Sequence, residues 1–189
     1  MQERVGAGTL LHRHPHPDVR VYRSGLGLFL LSESMVFVLL LVVRFVLAGR
    51  GHPAELNQAL AAAMTVVLLA SGVPVRQAFV AISRGDVRQT VRHLWLTAAL
   101  GALFLAGMAF EWSELPFTPA SAYGTVFFTT TGFHGLHLLV GPLLLLSLIL
   151  RARRGRLTAG DAWAVEAVER YWHFVDLVWI CGYAAFYLV

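Results

Sequence analysis

Long apolar stretches alternate with short polar connections along the whole chain. Five stretches, at about 24–48, 56–82, 90–110, 122–150 and 165–189, are each long enough to cross a bilayer as a helix. Turn-forming residues follow the first stretch at 49–53, and an acidic segment with a proline, 111–116, follows the third. The pattern predicts an all-α, polytopic membrane protein, with one five-transmembrane-helix bundle at 24–189 and a cytoplasmic tail at 1–23.

The arginines fall on alternate connections between these stretches. Thirteen of them lie in the tail, in the second connection, or in and near the fourth: Arg4, Arg13, Arg20, Arg23, Arg76, Arg84, Arg88, Arg92, Arg151, Arg153, Arg154, Arg156 and Arg170. Only Arg44 and Arg50 lie on the other side. Because cytoplasmic loops are enriched in basic residues, this distribution predicts a cytoplasmic N-terminus and an outside C-terminus.

Composition narrows the class of protein further. The residues are 57% hydrophobic and 14% charged, with a mean hydropathy of +0.65, which is outside the range of a water-soluble domain. The net charge of +4 comes from arginines that flank the spans, where anionic lipid headgroups attract them, so we do not expect nucleic-acid binding. The lone Cys181 excludes an internal disulfide. The use of arginine without any lysine suggests a bacterial proteome, and hence the bacterial cytoplasmic (inner) membrane.

Ionisable residues inside the predicted spans are the candidate functional groups, because such residues are costly in hydrocarbon and normally face protein. They are Glu33, His134, His137, His173 and Asp176. At about 1.5 Å per residue, Glu33 lies roughly 14 Å from the cytoplasmic end of its span, and His173 and Asp176 roughly 12 and 16 Å from theirs. These three side chains are therefore predicted to reach one depth.

The spacing of the histidines leaves several chemistries open. His134 and His137 share a helix face, and a metal site would need a further ligand such as His173 or Asp176. Axial haem ligation is a second possibility, and hydrogen bonds to groups on neighbouring helices are a third. We expect the third, with no metal and no catalytic site. Glu33 is either a protonated, hydrogen-bonded carboxyl or a proton-handling carboxylate.

Six sequence blocks resemble subunit III of the haem-copper oxidases, the cytochrome c oxidase subunit 3 family, in its short five-helix form. The blocks, in order, are SESMVF at 32–37, LASGV at 69–73, Glu111 with PFT at 116–118, YGTVFF at 123–128, TGFHGLH at 131–137 and YWHFVDLVW at 171–179.

The resemblance implies a subunit without redox centres that packs against catalytic subunit I and assembles with subunit II, where the haems and copper are expected. Bound phospholipid is expected between the first helix and the other four. Glu33 matches a buried carboxylate near the catalytic subunit, and Arg151 matches a residue that holds a lipid phosphate. The subunit would support proton uptake and turnover stability, and the tail histidines His12, His14 and His16 are candidate proton collectors.

Two alternatives remain open at this level. A five-helix accessory subunit of a quinol oxidase or nitric oxide reductase would share the same topology. An independent membrane enzyme or transporter would instead use Glu33, His173 and Asp176 as its own site.

Overall fold

The computed structural model describes residues 19–49, 51, 53 and 56–189, which form five α-helices and contain no β-strand. The helices are α1 (Val19–Ala48), α2 (Gln58–Ser83), α3 (Val87–Glu114), α4 (Ala122–Arg153) and α5 (Ala162–Tyr183). A short 3-10 turn, Ala159–Asp161, precedes α5, and a π-helical turn, Ala184–Leu188, continues it to the end of the chain. The predicted all-α class is confirmed.

Two helix ends differ from the sequence prediction. α1 begins at Val19, so Arg20 and Arg23 belong to the helix rather than to an irregular tail. α3 continues to Glu114, so the predicted loop at 111–116 is wrong for its first four residues. The physical reason lies in Glu111, which is buried and accepts a 2.8 Å hydrogen bond from the Tyr187 hydroxyl instead of facing solvent.

Polar side chains fix the starts of three helices. The side chains of Asn57, Asp86 and Ser121 accept hydrogen bonds from the backbone N–H groups of residues 60, 89 and 124. Each bond satisfies one of the donors that a helix N-terminus leaves free. Gly85 has a φ of +78°, which allows the tight turn between α2 and α3.

One end of the bundle gathers most of the described arginines. The start of α1 lies beside the start of α5, since Tyr22 stacks on Trp163 with ring centroids 4.7 Å apart. The start of α5 in turn lies beside the end of α4 and the end of α2, as the Arg151–Asp161 and Arg76–Glu169 pairs show. We call this the arginine-rich end, and the other, where Gly51 N–H donates to the Val189 carbonyl, the opposite end.

Small residues let α2, α3, α4 and α5 pack closely. The Trp172 indole fills a space where a Cβ added to Gly101 or Gly141 would lie 2.7 or 2.6 Å from ring carbons. Its Nε1 donates to the Ser71 hydroxyl at 2.7 Å. This buried ring therefore joins α5 to the three other helices of the body.

Four helices, α1 to α4, are long and apolar enough to cross a membrane. α5 contains the ionisable residues Glu166, Glu169, Arg170, His173 and Asp176. It is not apolar enough to be counted with these four helices in the described part of the chain. The fifth span and the orientation of the termini remain predictions.

Candidate functional site

Glu33 on α1 and His137 on α4 meet within the bundle. Their Oε2 and Nε2 atoms are 3.0 Å apart, and both side chains are largely covered. The ring also makes an edge contact with Phe37 one turn further along α1. The Tyr171 hydroxyl on α5 donates to the His137 carbonyl at 2.8 Å, so three helices converge at this pair.

The hydrogen bonds of His137 determine how the pair carries a proton. Its Nδ1 lies 2.8 Å from the Phe133 carbonyl, which only accepts, so Nδ1 is the donor there. A proton must also lie between Nε2 and the Glu33 oxygen, on one atom or the other. The pair is therefore either acid and neutral imidazole or carboxylate and imidazolium, and its net charge is zero in both forms. This arrangement lowers the cost of placing a carboxyl group in the membrane.

His134, one turn before His137, lies in a different environment. The ring is buried between Phe104, which it meets edge-on at 5.8 Å, and Trp179, at 4.9 Å between centroids. Neither ring nitrogen has a hydrogen-bond partner among the described residues, contrary to the expected bond to a neighbouring helix. His134 thus acts here as a packing residue between α3, α4 and α5.

His173 and Asp176 face α2, away from Glu33. His173 Nδ1 lies 3.5 Å from Asp176 Oδ2, and its Nε2 lies 3.9 Å from Glu169 Oε1. Glu169 accepts a 3.0 Å hydrogen bond from Arg76 of α2. Asp176 Oδ1 is buried without a partner in the part of the chain that the structure describes. These four residues form what we call the α2–α5 ladder.

Glu33 does not contact His173 or Asp176, so the structure does not bring these three residues of similar depth into one site. Glu33 pairs with His137 on one side of α5, and the ladder lies on the other. Among the described residues, no group of three or more His, Cys, Asp or Glu side chains is placed to hold a metal ion. The geometry offers two separate ionisable clusters rather than one composite site.

Arg151, the predicted phosphate ligand, is engaged within the chain. Its guanidinium donates to Asp161 at 2.8 Å, and Asp161 also accepts from the Thr158 backbone N–H and hydroxyl. Burial alone would raise the pKa of the Asp161 carboxyl, but the bonds from Thr158 and the nearby Arg151 charge outweigh it and hold that pKa below its usual value. Arg151 thereby fixes the α4–α5 connection, and its side chain remains partly exposed.

An apolar groove of about 490 Å³ lies between α1, α4 and α5 on the arginine-rich side of the Glu33–His137 pair. It is lined by Leu26, Phe29, Leu136, His137, Val140, Leu144, Ala167, Val168 and Tyr171. Leu26 and Ala167 also line a small adjoining recess with Arg23 and Arg170. Both arginines bond Glu166, at 2.7 and 2.8 Å. The groove therefore combines apolar walls with two guanidinium groups at its mouth.

Sequence reasoning missed a buried cation at the opposite end. Arg44, noted only as an exception to the arginine distribution, is fully buried and donates to the Gly49 and Gly51 carbonyls at 2.5 and 2.8 Å. Its guanidinium also lies over the rings of Tyr123 and Phe186, 5.0 and 5.5 Å from their centroids. The only sequence signal was its place inside an otherwise apolar span.

The chain was compared with known proteins. The family model described as cytochrome c oxidase subunit III matches residues 2–189. Cytochrome c oxidase subunit 3 of Thermostichus vulcanus is 37% identical over 185 residues, covering 94% of this chain and 91% of the relative.

Two further relatives agree with this match. A probable cytochrome c oxidase subunit 3 of Nocardia farcinica is 38% identical over 175 residues, covering 87% of this chain and 86% of the relative. The subunit of Petromyzon marinus is 37% identical over 196 residues, covering 97% and 75%. The resemblance of the six sequence blocks is confirmed, and the chain belongs to the cytochrome c oxidase subunit III family of haem-copper oxidases.

Proposed function

We propose that this chain is the non-catalytic third subunit of a cytochrome c oxidase, packed against subunit I and assembled with subunit II. The haems and copper would lie in those partners. The observation that carries this proposal is the family match along essentially the whole chain. The split of the intramembrane ionisable groups into two separate clusters agrees with a supporting role better than with an independent active site built on Glu33, His173 and Asp176.

The proposed topology has five spans, with the N-terminus in the cytoplasm of a bacterial cell and the C-terminus outside. α2 is apolar enough to cross the membrane, and α5 runs beside it from end to end. Arg76 bonds Glu169 near the arginine-rich end, Thr65 accepts from Trp179 Nε1 at 2.9 Å, and Gln58 bonds the Tyr187 carbonyl at the opposite end. A helix that accompanies a spanning helix over its full length spans as well. Glu169 and Asp176 of α5 are buried on that side.

The groove between α1, α4 and α5 is the proposed phospholipid site. Its walls fit acyl chains, and a guanidinium binds a phosphate through paired hydrogen bonds. Arg23 and Arg170 at the mouth are candidates beside Arg151; each of the three donates to a carboxylate of the chain, and each side chain is about half exposed. Loss of co-purifying phospholipid from an Arg23→Gln/Arg170→Gln variant, with retention in Arg88→Gln, would support this site. Equal lipid content in both variants would contradict it.

Support of proton uptake by the oxidase is the third part of the proposal. The tail histidines His12, His14 and His16 lie outside the described residues, and their usual pKa near 6.5 suits proton collection at the cytoplasmic surface. Replacement of all three by asparagine is expected to slow proton uptake by the assembled oxidase. An unchanged uptake rate would remove this role.

A mild-detergent purification of the tagged chain tests the whole assignment. An optical spectrum and mass spectrometry of the purified material should show an oxidase haem together with a large multi-span partner and a copper-containing subunit. A partner set typical of a nitric oxide reductase, or a stable colourless chain recovered alone, would contradict the proposal.

A further inference from the structure

The α2–α5 ladder extends deep into the bundle from the arginine-rich end. Arg76 and Glu169 each lie seven residues from the helix ends at Ser83 and Ala162, a depth of about 10 Å. By the same rise, His173 lies at about 16 Å and Asp176 at about 21 Å. If α5 spans the membrane as proposed, His173 and Asp176 lie at hydrocarbon depth.

The ladder is not covered by the chain itself. The Arg76 side chain is 58% exposed and the His173 side chain 47% exposed, and both lie on the lateral surface of the bundle. Acyl chains offer no hydrogen bonds, so an imidazole facing hydrocarbon at this depth is costly. The proposed topology therefore requires a polar or proteinaceous cover for this surface.

The surface beside the ladder has the form of a depression of about 540 Å³, lined by Leu69, Gly72, Val73 and Gln77 together with Arg76, Glu169 and His173 of the ladder. Gly72 is buried beneath it, since a Cβ there would lie 3.0 Å from His173 Cε1 and 3.1 Å from Asp176 Oδ2, so the glycine lets these α5 side chains lie against α2. Both the shape and the chemistry suit a packed helix.

We propose that this depression is the docking surface for a transmembrane helix of a partner subunit that presents a hydrogen-bonding side chain to the ladder. His173 is the contact point, because its half-exposed ring leaves Nε2 3.9 Å from Glu169, too far for a hydrogen bond within the chain. This inference rests on the proposed assembly into an oxidase, and it assigns which face of the chain meets the partner.

Lipid-phase labelling of single cysteines in the assembled complex tests the inference. Cys181→Ala removes the only cysteine, and Val73→Cys then places one thiol in the depression. Leu143→Cys on α4 is the matched control. Both positions lie ten residues from the arginine-rich end of their helices, about 15 Å deep, and they are 58% and 60% exposed.

A lipid-soluble maleimide added to native membranes should label Val73→Cys at least about tenfold more slowly than Leu143→Cys in the chain that co-purifies with haem, because a packed helix excludes the reagent. Equal labelling would show that lipid covers the depression and would overturn the interface while leaving the oxidase assignment intact. A disulfide between the introduced thiols of two chains of the Val73→Cys variant would overturn it too, in favour of a second copy. Recovery without any haem-bearing partner would overturn both proposals.

His173→Ala provides a second, independent measurement. His173 is half-exposed in this chain, so its removal should leave the fold intact and reduce retention of the partner during detergent washing several-fold. His134→Phe, at a buried position away from the depression, serves as the comparison. Unchanged retention in His173→Ala would contradict a contact with the imidazole.

Discussion

α1 and the four-helix body formed by α2 to α5 are held in place by different forces. α1 buries only Phe37 and Arg44 among its thirty residues, whereas α2 buries ten of twenty-six. α1 is joined to the rest by polar contacts at three levels: Arg23–Glu166, Glu33–His137 and the Arg44 guanidinium over the Tyr123 and Phe186 rings. The body is joined mainly by close packing around small residues.

The difference shows two ways to associate helices where lipid is as apolar as the side chains. Close packing needs small residues at fixed positions, and it tolerates little change. Polar anchors need fewer matched surfaces and leave space between helices, which here contains the apolar groove. Substitutions in the closely packed body and in the polar anchors of α1 should therefore differ in their effect on stability.

The largest effect is expected from Gly141→Leu in the body. A Cβ at this position already lies 2.6 Å from Trp172, and the ring cannot withdraw because Ser71 holds its Nε1 and Gly101 contacts its other edge. Overpacking of this kind costs about 3 kcal/mol of unfolding free energy. Denaturant unfolding in detergent micelles measures the loss.

Gly27→Ala on α1 is the control for that experiment, since no described atom lies within 4 Å of the added Cβ. It should stabilise the helix by about 0.5–1 kcal/mol. Equal destabilisation by the two substitutions would contradict the distinction between the packed body and the loosely packed α1.

Arg44→Met should have the next largest effect, confined to the opposite end of α1. The substitution leaves the Gly49 and Gly51 carbonyls without their donor and removes a cation from the Tyr123 and Phe186 rings. The expected cost is about 2 kcal/mol. Amide hydrogen exchange should rise at the α1–α2 connection and at the chain end, and remain unchanged at the α2–α3 turn. A rise at both places would indicate global unfolding instead.

Glu33→Leu should weaken the central anchor by about 1 kcal/mol, because it leaves His137 Nε2 without a partner. Glu33→Gln should lose less, since the amide can donate to Nε2 while Nδ1 donates to Phe133. In the assembled oxidase, Glu33→Gln should reduce assembly or long-term turnover more than the initial rate of oxygen reduction. Immediate loss of that rate in a fully haem-loaded complex would contradict this expectation.

A double-mutant cycle with His137→Leu separates the pair from its surroundings. If the Glu33–His137 contact anchors α1, the combined loss should be smaller than the sum of the two single losses. Additive losses would mean that the contact between Glu33 and His137 does not itself stabilise the position of α1.

The sequence predicts the helices well because each depends on local hydrophobicity and on caps such as Asn57 and Asp86. It predicts that Glu33, His137, His173 and Asp176 face protein, but not which of them meet. Depth along a helix is a local property, whereas the pairing of Glu33 with His137 depends on which helices are neighbours. The same reason explains Glu111, whose bond to Tyr187 joins residues 76 positions apart. In the sequence, Arg44 resembles a cation at the membrane interface. Its burial depends on the packing of Tyr123 and Phe186 against it.

The smallest effect is expected from Asp161→Asn in the α4–α5 connection, where the partly exposed Arg151 pair contributes about 0.5 kcal/mol. Because the folded-state pKa of Asp161 is lowered, its contribution is fully present above the unfolded value near 3.9 and is lost as the pH falls through the folded pKa. Unfolding curves of the parent and of Asp161→Asn should therefore differ at pH 7 and converge in acid. Asp86→Asn is the control at the α2–α3 turn, where Asn can still accept the bond from the Gln89 N–H. A difference between parent and Asp161→Asn that persists below the folded pKa would mean that the Thr158 bonds, rather than the charge, stabilise this connection.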